Sequence, residues 1–122
     1  MKICITAQGN TLDVPVDPRF GRCQYFIFIN SESDEYESVG NPHKDGGGAG
    51  IQVGQVMAEK KVAVVLTGNV GPNAFKTLQA AQIKIVTGIS GTVKEVYEKY
   101  KSGGFDTTTR GPTVDSHFGL NS

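Results

Sequence analysis

Apolar positions are concentrated in short runs separated by polar and glycine-rich stretches. The runs at residues 2–6, 24–30 and 62–66 are rich in β-branched or aromatic residues and predict strands. Run 24–30 is nearly continuous, which is typical of a strand covered on both faces. Run 62–66 is the most hydrophobic and favours a central strand. Weaker runs at 35–39 and 83–86 predict two further strands, the first in a hairpin with 24–30.

Three stretches have helical rather than strand periodicity. The first follows a glycine-rich segment and covers residues 51–61. The second begins at Pro72, which suits the first helical position because proline lacks an N–H group. The third begins after Thr92, with Glu95 three positions on, which is the capping-box pattern. Strands alternating with helices predict parallel pairing, and the hairpin adds antiparallel strands. The fold class is therefore α/β with a mixed sheet.

The length and texture of the chain predict one domain followed by a tail. The 122 residues fit a single domain, and regular patterning extends over residues 1–101. Residues 102–122 are rich in Gly, Thr and Ser and are expected to form a flexible C-terminal tail. Two cysteines, Cys4 and Cys23, are too few for a disulfide framework.

Charge and hydropathy restrict the partners and the compartment. Lys plus Arg and Asp plus Glu both total 12, so the net charge is zero. A balanced charge argues against a nucleic-acid binder and gives no support for a membrane contact. No apolar run approaches the roughly 20 residues of a transmembrane helix. The N-terminal residues do not resemble a signal peptide, and we therefore expect a cytoplasmic protein.

Cys23 and His43 are the candidate metal ligands. Arg19 and Arg22 shortly precede Cys23, and two guanidinium groups would favour the thiolate that binds metal and attract an anionic cluster. The alternative for Cys23 is a small buried hydrophobic residue. His43 lies in a loop, NPHKD, and imidazole is a common ligand for iron and zinc. The alternative for His43 is a solvated loop side chain.

Two glycine-rich loops are candidate contacts for an anion. Glycines 46–48 and 50 precede a helix, whose N-terminus carries free N–H groups and roughly half a positive charge. Their spacing fits neither a P-loop nor a dinucleotide-binding fingerprint, and a flexible connector is the alternative. The candidate contacts in this loop are Gly46, Gly47 and Gly48.

The second loop follows the apolar run 62–66. Its candidate residues are Gly68, Gly71 and Asn73, which end that strand and start the next helix. Ligands of open α/β sheets bind beyond the carboxyl ends of the strands, so this loop should line the same crevice as the first. A tight turn that requires glycine explains the same residues equally well.

The number of available ligands excludes several kinds of site. A resident iron-sulfur cluster normally needs four cysteines, and a closed zinc site also needs more ligands than this chain offers. The few ligands of this chain are compatible with a preformed cluster that is held at one or two points and then released. A two-metal nuclease needs clustered carboxylates, yet strands 2–6, 24–30 and 62–66 contain none. We therefore expect a protein that is not an enzyme.

Four segments together resemble the dinitrogenase iron-molybdenum cofactor biosynthesis family, over roughly residues 1–101. They are KICIT, DPRFGRCQYF, NPHKDGGGAG and VVLTGNVGPNAFKTL with the following IKIVTGISGTVKEVYE. The resemblance implies a three-layer α/β/α sandwich with a five-stranded mixed sheet of the ribonuclease H-like motif type. It also implies transient binding of iron-sulfur or iron-molybdenum cofactor precursors, with metallocluster assembly or acceptor proteins as partners.

Three hypotheses follow. The first is a non-catalytic carrier of an anionic cluster, in which Cys23 and His43 are ligands, Arg19 and Arg22 neutralise charge, and glycine amides contact the cargo. The second is a regulatory module that binds a small anion or nucleotide at the same loops without metal. The third is an interaction domain that docks on a partner. The sequence leaves the identity of the cargo and the oligomeric state open.

Overall fold

The computed structural model describes residues 1–45, 49–105, 108–109 and 111–113. Within them the chain forms five strands and three helices in the predicted order. The strands are β1 (Lys2–Ala7), β2 (Tyr25–Asn30), β3 (Tyr36–Gly40), β4 (Val64–Leu66) and β5 (Lys84–Val86). The helices are α1 (Ala49–Glu59), α2 (Pro72–Ala80) and α3 (Val93–Lys101).

The strands form one mixed sheet in the order β3-β2-β1-β4-β5. β1 pairs antiparallel with β2 and parallel with β4, while β2–β3 is antiparallel and β4–β5 is parallel. The predicted α/β class with a five-stranded mixed sheet is confirmed. The middle strand is β1, whereas the sequence favoured the more hydrophobic β4. β4 is buried and lies next to β1 in the sheet. The ribonuclease H-like motif type stays a prediction.

Side-chain alternation along the strands divides the core into two layers. One layer contains Cys4, Phe26 and Val65 beneath α1 and α2. The opposite layer contains Ile5 and Ile27 beneath α3. Both faces of β2 are buried, as its unbroken apolar run predicts. The sheet therefore lies between two helical layers, which is the three-layer arrangement expected from the sequence.

Local sequence signals place the helix boundaries. Pro72 is the first residue of α2. The capping box of α3 is present: Thr92 Oγ1 accepts from the Glu95 amide at 3.2 Å, and Glu95 Oε1 accepts from the Thr92 amide at 3.1 Å. Gly54 lies inside α1, and a Cβ at this position would come within 2.6 Å of Thr77 Cγ2 on α2. Glycine at this position allows α1 and α2 to pack closely.

Part of the segment predicted to be a tail is hydrogen-bonded to the domain. The Thr109 amide donates to the Ile85 carbonyl at 2.6 Å, along the free edge of β5. Further on, the Thr113 amide donates to the Val70 carbonyl at 2.8 Å, and the Val70 amide donates to Thr113 Oγ1 at 2.9 Å. Residues 114–122 lie outside the described residues. Across the described part of the chain, no helix combines the length and the apolar character needed to cross a membrane.

Candidate functional site

Four loops meet at one end of the sheet, where the parallel strands finish, and we call this end the loop edge. The register pairs Ala7 with Tyr25 and Tyr25 with Gly40, so β1 ends where β2 begins and β3 ends. The parallel strands β4 and β5 end at the same edge. The loops at 8–24, 41–45, 67–71 and 87–92 therefore leave or enter the sheet there, and α1, α2 and α3 begin there. Every predicted site residue that the structure describes lies in these loops or at the start of α2.

The loop at 67–71 is joined to the segment that leads to Cys23. The Asn69 amide donates to the Pro18 carbonyl at 2.8 Å, and the Phe20 amide donates to the Asn69 carbonyl at 3.3 Å. Gly68 lies so close to this segment that a Cβ would come within 2.6 Å of Pro18 Cα. Close approach of two backbones therefore accounts for glycine at this position.

The turn at residues 21–23 packs against the first turn of α1, which in turn packs against the first turn of α2. A Cβ on Gly21 would lie 3.0 Å from the Gly50 amide nitrogen, and a Cβ on Gly50 would lie 3.2 Å from the Ala74 amide nitrogen. Gly71 is the extended N-cap residue of α2, and no side chain in the described residues caps that helix. Asn73, in the first turn of α2, is exposed. The start of α1 therefore lies beside the turn that carries Cys23, and the start of α2 lies beside that of α1.

Cys23 is fully buried, with 0% of its surface exposed. Burial raises the pKa of its thiol well above the ordinary value, and the nearby Cys4 and Asp17 raise it further, against a smaller lowering by Asn41. The expectation that neighbouring arginines favour the thiolate is therefore wrong for this conformation. Cys4, predicted to belong to the core, is also fully buried.

Asp17 binds Arg19 within the loop that leads to Cys23. The Asp17 carboxylate is 1% exposed and accepts from the Arg19 amide at 3.0 Å, from Arg19 Nε at 3.3 Å and from the Gln24 amide at 3.1 Å. Arg19 thus forms a salt bridge within its own loop, whereas the sequence suggested that it would face a cargo. Arg22 is half-buried in the 21–23 turn.

Asn41 joins the loop of Cys23 to the loop of His43. Its Nδ2 donates to the Gly21 carbonyl at 3.0 Å and to the Cys23 carbonyl at 2.9 Å, and lies 3.9 Å from Cys23 Sγ. Its Oδ1 accepts from the His43 amide at 2.9 Å. The His43 side chain is partly exposed. The backbones of the two predicted ligands are therefore linked through a single side chain.

Sequence reasoning missed both Asp17 and Asn41, although the chain contains a signal for each. Each precedes a proline, and each accepts a hydrogen bond from the backbone amide two residues on. This is the Asx-turn, which the Asp-Pro and Asn-Pro dipeptides favour. The signal could have identified the local turns. It could not have identified the long-range bonds to Gln24 and to the 21–23 turn.

The ligand set does not make a closed metal site. Among the described residues, no group of three or more His, Cys, Asp or Glu side chains is arranged to hold a metal ion. The predicted contacts Gly46, Gly47 and Gly48 lie outside the described residues. The fold and the loops define a small α/β domain with several loops gathered at one end of its sheet.

The chain belongs to the family described as dinitrogenase iron-molybdenum cofactor, whose model matches residues 1–103. The apo form of the orange protein from Desulfovibrio gigas is similar in structure, with a TM-score of 0.87 and 39% identity over 93% of this chain and 96% of that one. A candidate NifB protein from Thermotoga has a TM-score of 0.76 and 37% identity over 89% and 97% of the two chains. An uncharacterized protein from Methanocaldococcus jannaschii is 25% identical, over 84% of this chain and 87% of its own.

Proposed function

We propose that this protein binds an anionic iron-sulfur or iron-molybdenum cofactor precursor and passes it on during metallocluster assembly, without catalysing a reaction. The observation that supports this most is the link through Asn41, which holds the loops of Cys23 and His43 together at the edge where α1 and α2 begin. Membership of the dinitrogenase iron-molybdenum cofactor family supports this class of cargo. Metallocluster assembly or acceptor proteins are the expected partners.

Cargo of this kind is negatively charged and carries metal ions. The N-termini of α1 and α2 each present roughly half a positive charge to the sheet edge, which attracts an anion. Thiolate sulfur and imidazole nitrogen suit iron, so Cys23 and His43 would supply the direct ligands. Arg22 and the amides of the two glycine-rich loops would contact the remaining charge. Two ligands hold a cluster less tightly than four, and weak attachment suits a protein that must release its cargo.

Anaerobic incubation with ferrous iron and sulfide tests this proposal. After gel filtration, the wild type is compared with the Cys23→Ala, His43→Ala double variant. The two quantities compared are the iron bound per protein and the sulfide-to-iron charge-transfer absorbance. The matched control is Cys4→Ala, His117→Ala, which removes the other cysteine and the other histidine of the chain. We expect the control to retain iron like the wild type and the site variant to lose most of it. Equal retention by all three proteins would contradict the ligand assignment.

The second candidate function is a small-anion or nucleotide-binding module that needs no metal. The buried Cys23, whose raised pKa disfavours the thiolate, is the observation that favours it. Helix N-termini and glycine amides would then bind a phosphate without help from sulfur. Thermal-shift measurements with nucleotides and inorganic phosphate separate the two candidates. A rise in melting temperature that persists with chelator and in Cys23→Ala supports the anion module over the carrier.

A further inference from the structure

Asn41 is a buried side chain whose polar atoms are used between two loops. It is 5% exposed. Its Nδ2 bonds the carbonyls of Gly21 and Cys23, which lie on either side of Arg22, and its Oδ1 bonds the His43 amide. Buried polar groups that lose their partners carry a large desolvation penalty. The side chain therefore favours the arrangement in which the 21–23 turn and His43 stay together.

This arrangement keeps Cys23 from any cargo in solution. The residue has no exposed surface, and Asn41 Nδ2 lies 3.9 Å from its sulfur. The 21–23 turn is also pressed against α1, because a Cβ on Gly21 would come within 3.0 Å of the Gly50 nitrogen. A movement of the turn away from Asn41 would carry Cys23 with it and would also uncover the first turn of α1, against which Gly21 packs.

We propose that Asn41 is a positioning residue that holds the 21–23 turn in the arrangement in which the sulfur of Cys23 is buried, and keeps the His43 loop beside that turn. Release of the turn presents the sulfur and the amides at the start of α1 together, so the thiol and the positive helix end become available in one step. This inference rests on the proposed function for the identity of the cargo. The closure itself is measured without any cargo.

Alkylation of Cys23 by iodoacetamide under native conditions, followed by peptide mass spectrometry, tests the closure. Asn41→Ala removes the whole link. Asn41→Asp keeps the shape and an acceptor for the His43 amide but replaces the donating NH2 group by an oxygen. Both variants take an N–H donor from the sulfur and so disfavour the reactive thiolate. Faster alkylation can therefore come only from greater access to the sulfur, by opening of the turn or by general destabilisation.

We expect both Asn41 variants to be alkylated at Cys23 about tenfold faster or more, as when bonds that hold a local segment are removed. The control is Val96→Ala, a core truncation in α3 on the opposite face of the sheet. Each protein is alkylated at a temperature the same number of degrees below its own melting temperature. The control should react like the wild type. Wild-type rates in both Asn41 variants, or equal acceleration in Val96→Ala, would overturn the positioning role.

Iron retention separates this inference from the proposed function. With ferrous iron and sulfide as the probe, Asn41→Asp should take up iron faster than the wild type, because the turn opens more readily. It should retain less iron after gel filtration, because the sulfur and His43 are no longer held together. Faster alkylation together with no iron retention by the wild type would leave the positioning role standing and refute the carrier. Iron retention by the wild type with unchanged alkylation in the Asn41 variants would refute the positioning role alone.

Discussion

Replacing Gly68 by alanine should destabilise the protein because the new methyl group has no space. The added Cβ would lie 2.6 Å from Pro18 Cα and 2.9 Å from both Pro18 Cβ and the Pro18 carbonyl oxygen. Carbon atoms in contact prefer separations of about 3.5–4.0 Å, so one of the two backbones must move by roughly 1 Å. That movement stretches the bond from the Asn69 amide to Pro18, now 2.8 Å long.

Overpacking of this kind costs about 1–3 kcal/mol, and a clash with backbone cannot be relieved by a change of rotamer. We therefore expect Gly68→Ala to lower the free energy of unfolding by about 2 kcal/mol or more in urea titrations followed by circular dichroism. The control is Gly40→Ala, whose Cβ would meet only Tyr25 Cε1 at 3.9 Å. It should stay within about 0.5 kcal/mol of the wild type. Equal stability of the two variants would refute the argument that close approach requires Gly68.

Three further predictions concern α3 and the C-terminal segment. Thr92→Ala removes the capping box and should lower the free energy of unfolding by about 1 kcal/mol in urea titrations, and no change would contradict the role of the cap. Hydrogen bonds from Thr92 lower the pKa of Glu95 below its ordinary 4.5. The ionised Glu95 carboxylate therefore contributes its full stabilisation above pH 4.5 and loses it as the pH falls through the lower pKa of the folded protein. The difference in free energy of unfolding between Thr92→Ala and the wild type should shrink in acid. Thr113→Val removes the acceptor of the Val70 amide and should speed hydrogen exchange there, whereas a Thr108→Val control should not; equal exchange in both would refute the contact.

The parts of the fold that depend on neighbouring residues could be predicted from the sequence. Thr92 and Glu95 are three positions apart, and Pro72 acts on its own helix, so each boundary could be inferred locally. The position of β1 in the middle of the sheet could not, because strand order depends on pairings between residues up to 61 apart, such as Ile5 with Leu66.

The predicted site follows the same division. The convergence of the loops could be predicted, since the carboxyl ends of parallel strands share an edge. The environment of Cys23 could not, because it depends on Asn41, 18 positions away in sequence, and on core packing with Cys4. Two arginines within four positions of Cys23 suggested a reactive thiolate, yet burial raises the pKa of the thiol, and Arg19 is paired with Asp17.

The most direct test of the account is nuclear magnetic resonance of the 15N-labelled protein as ferrous iron and sulfide are added under anaerobic conditions. Paramagnetic iron broadens the amide signals of nearby residues. The account predicts selective broadening at residues 19–24, 41–45 and 68–73, with sharp signals retained at 31–35, in the turn on the opposite edge of the sheet. Broadening centred on 31–35, or uniform broadening across the chain, would contradict a cargo site at the loop edge.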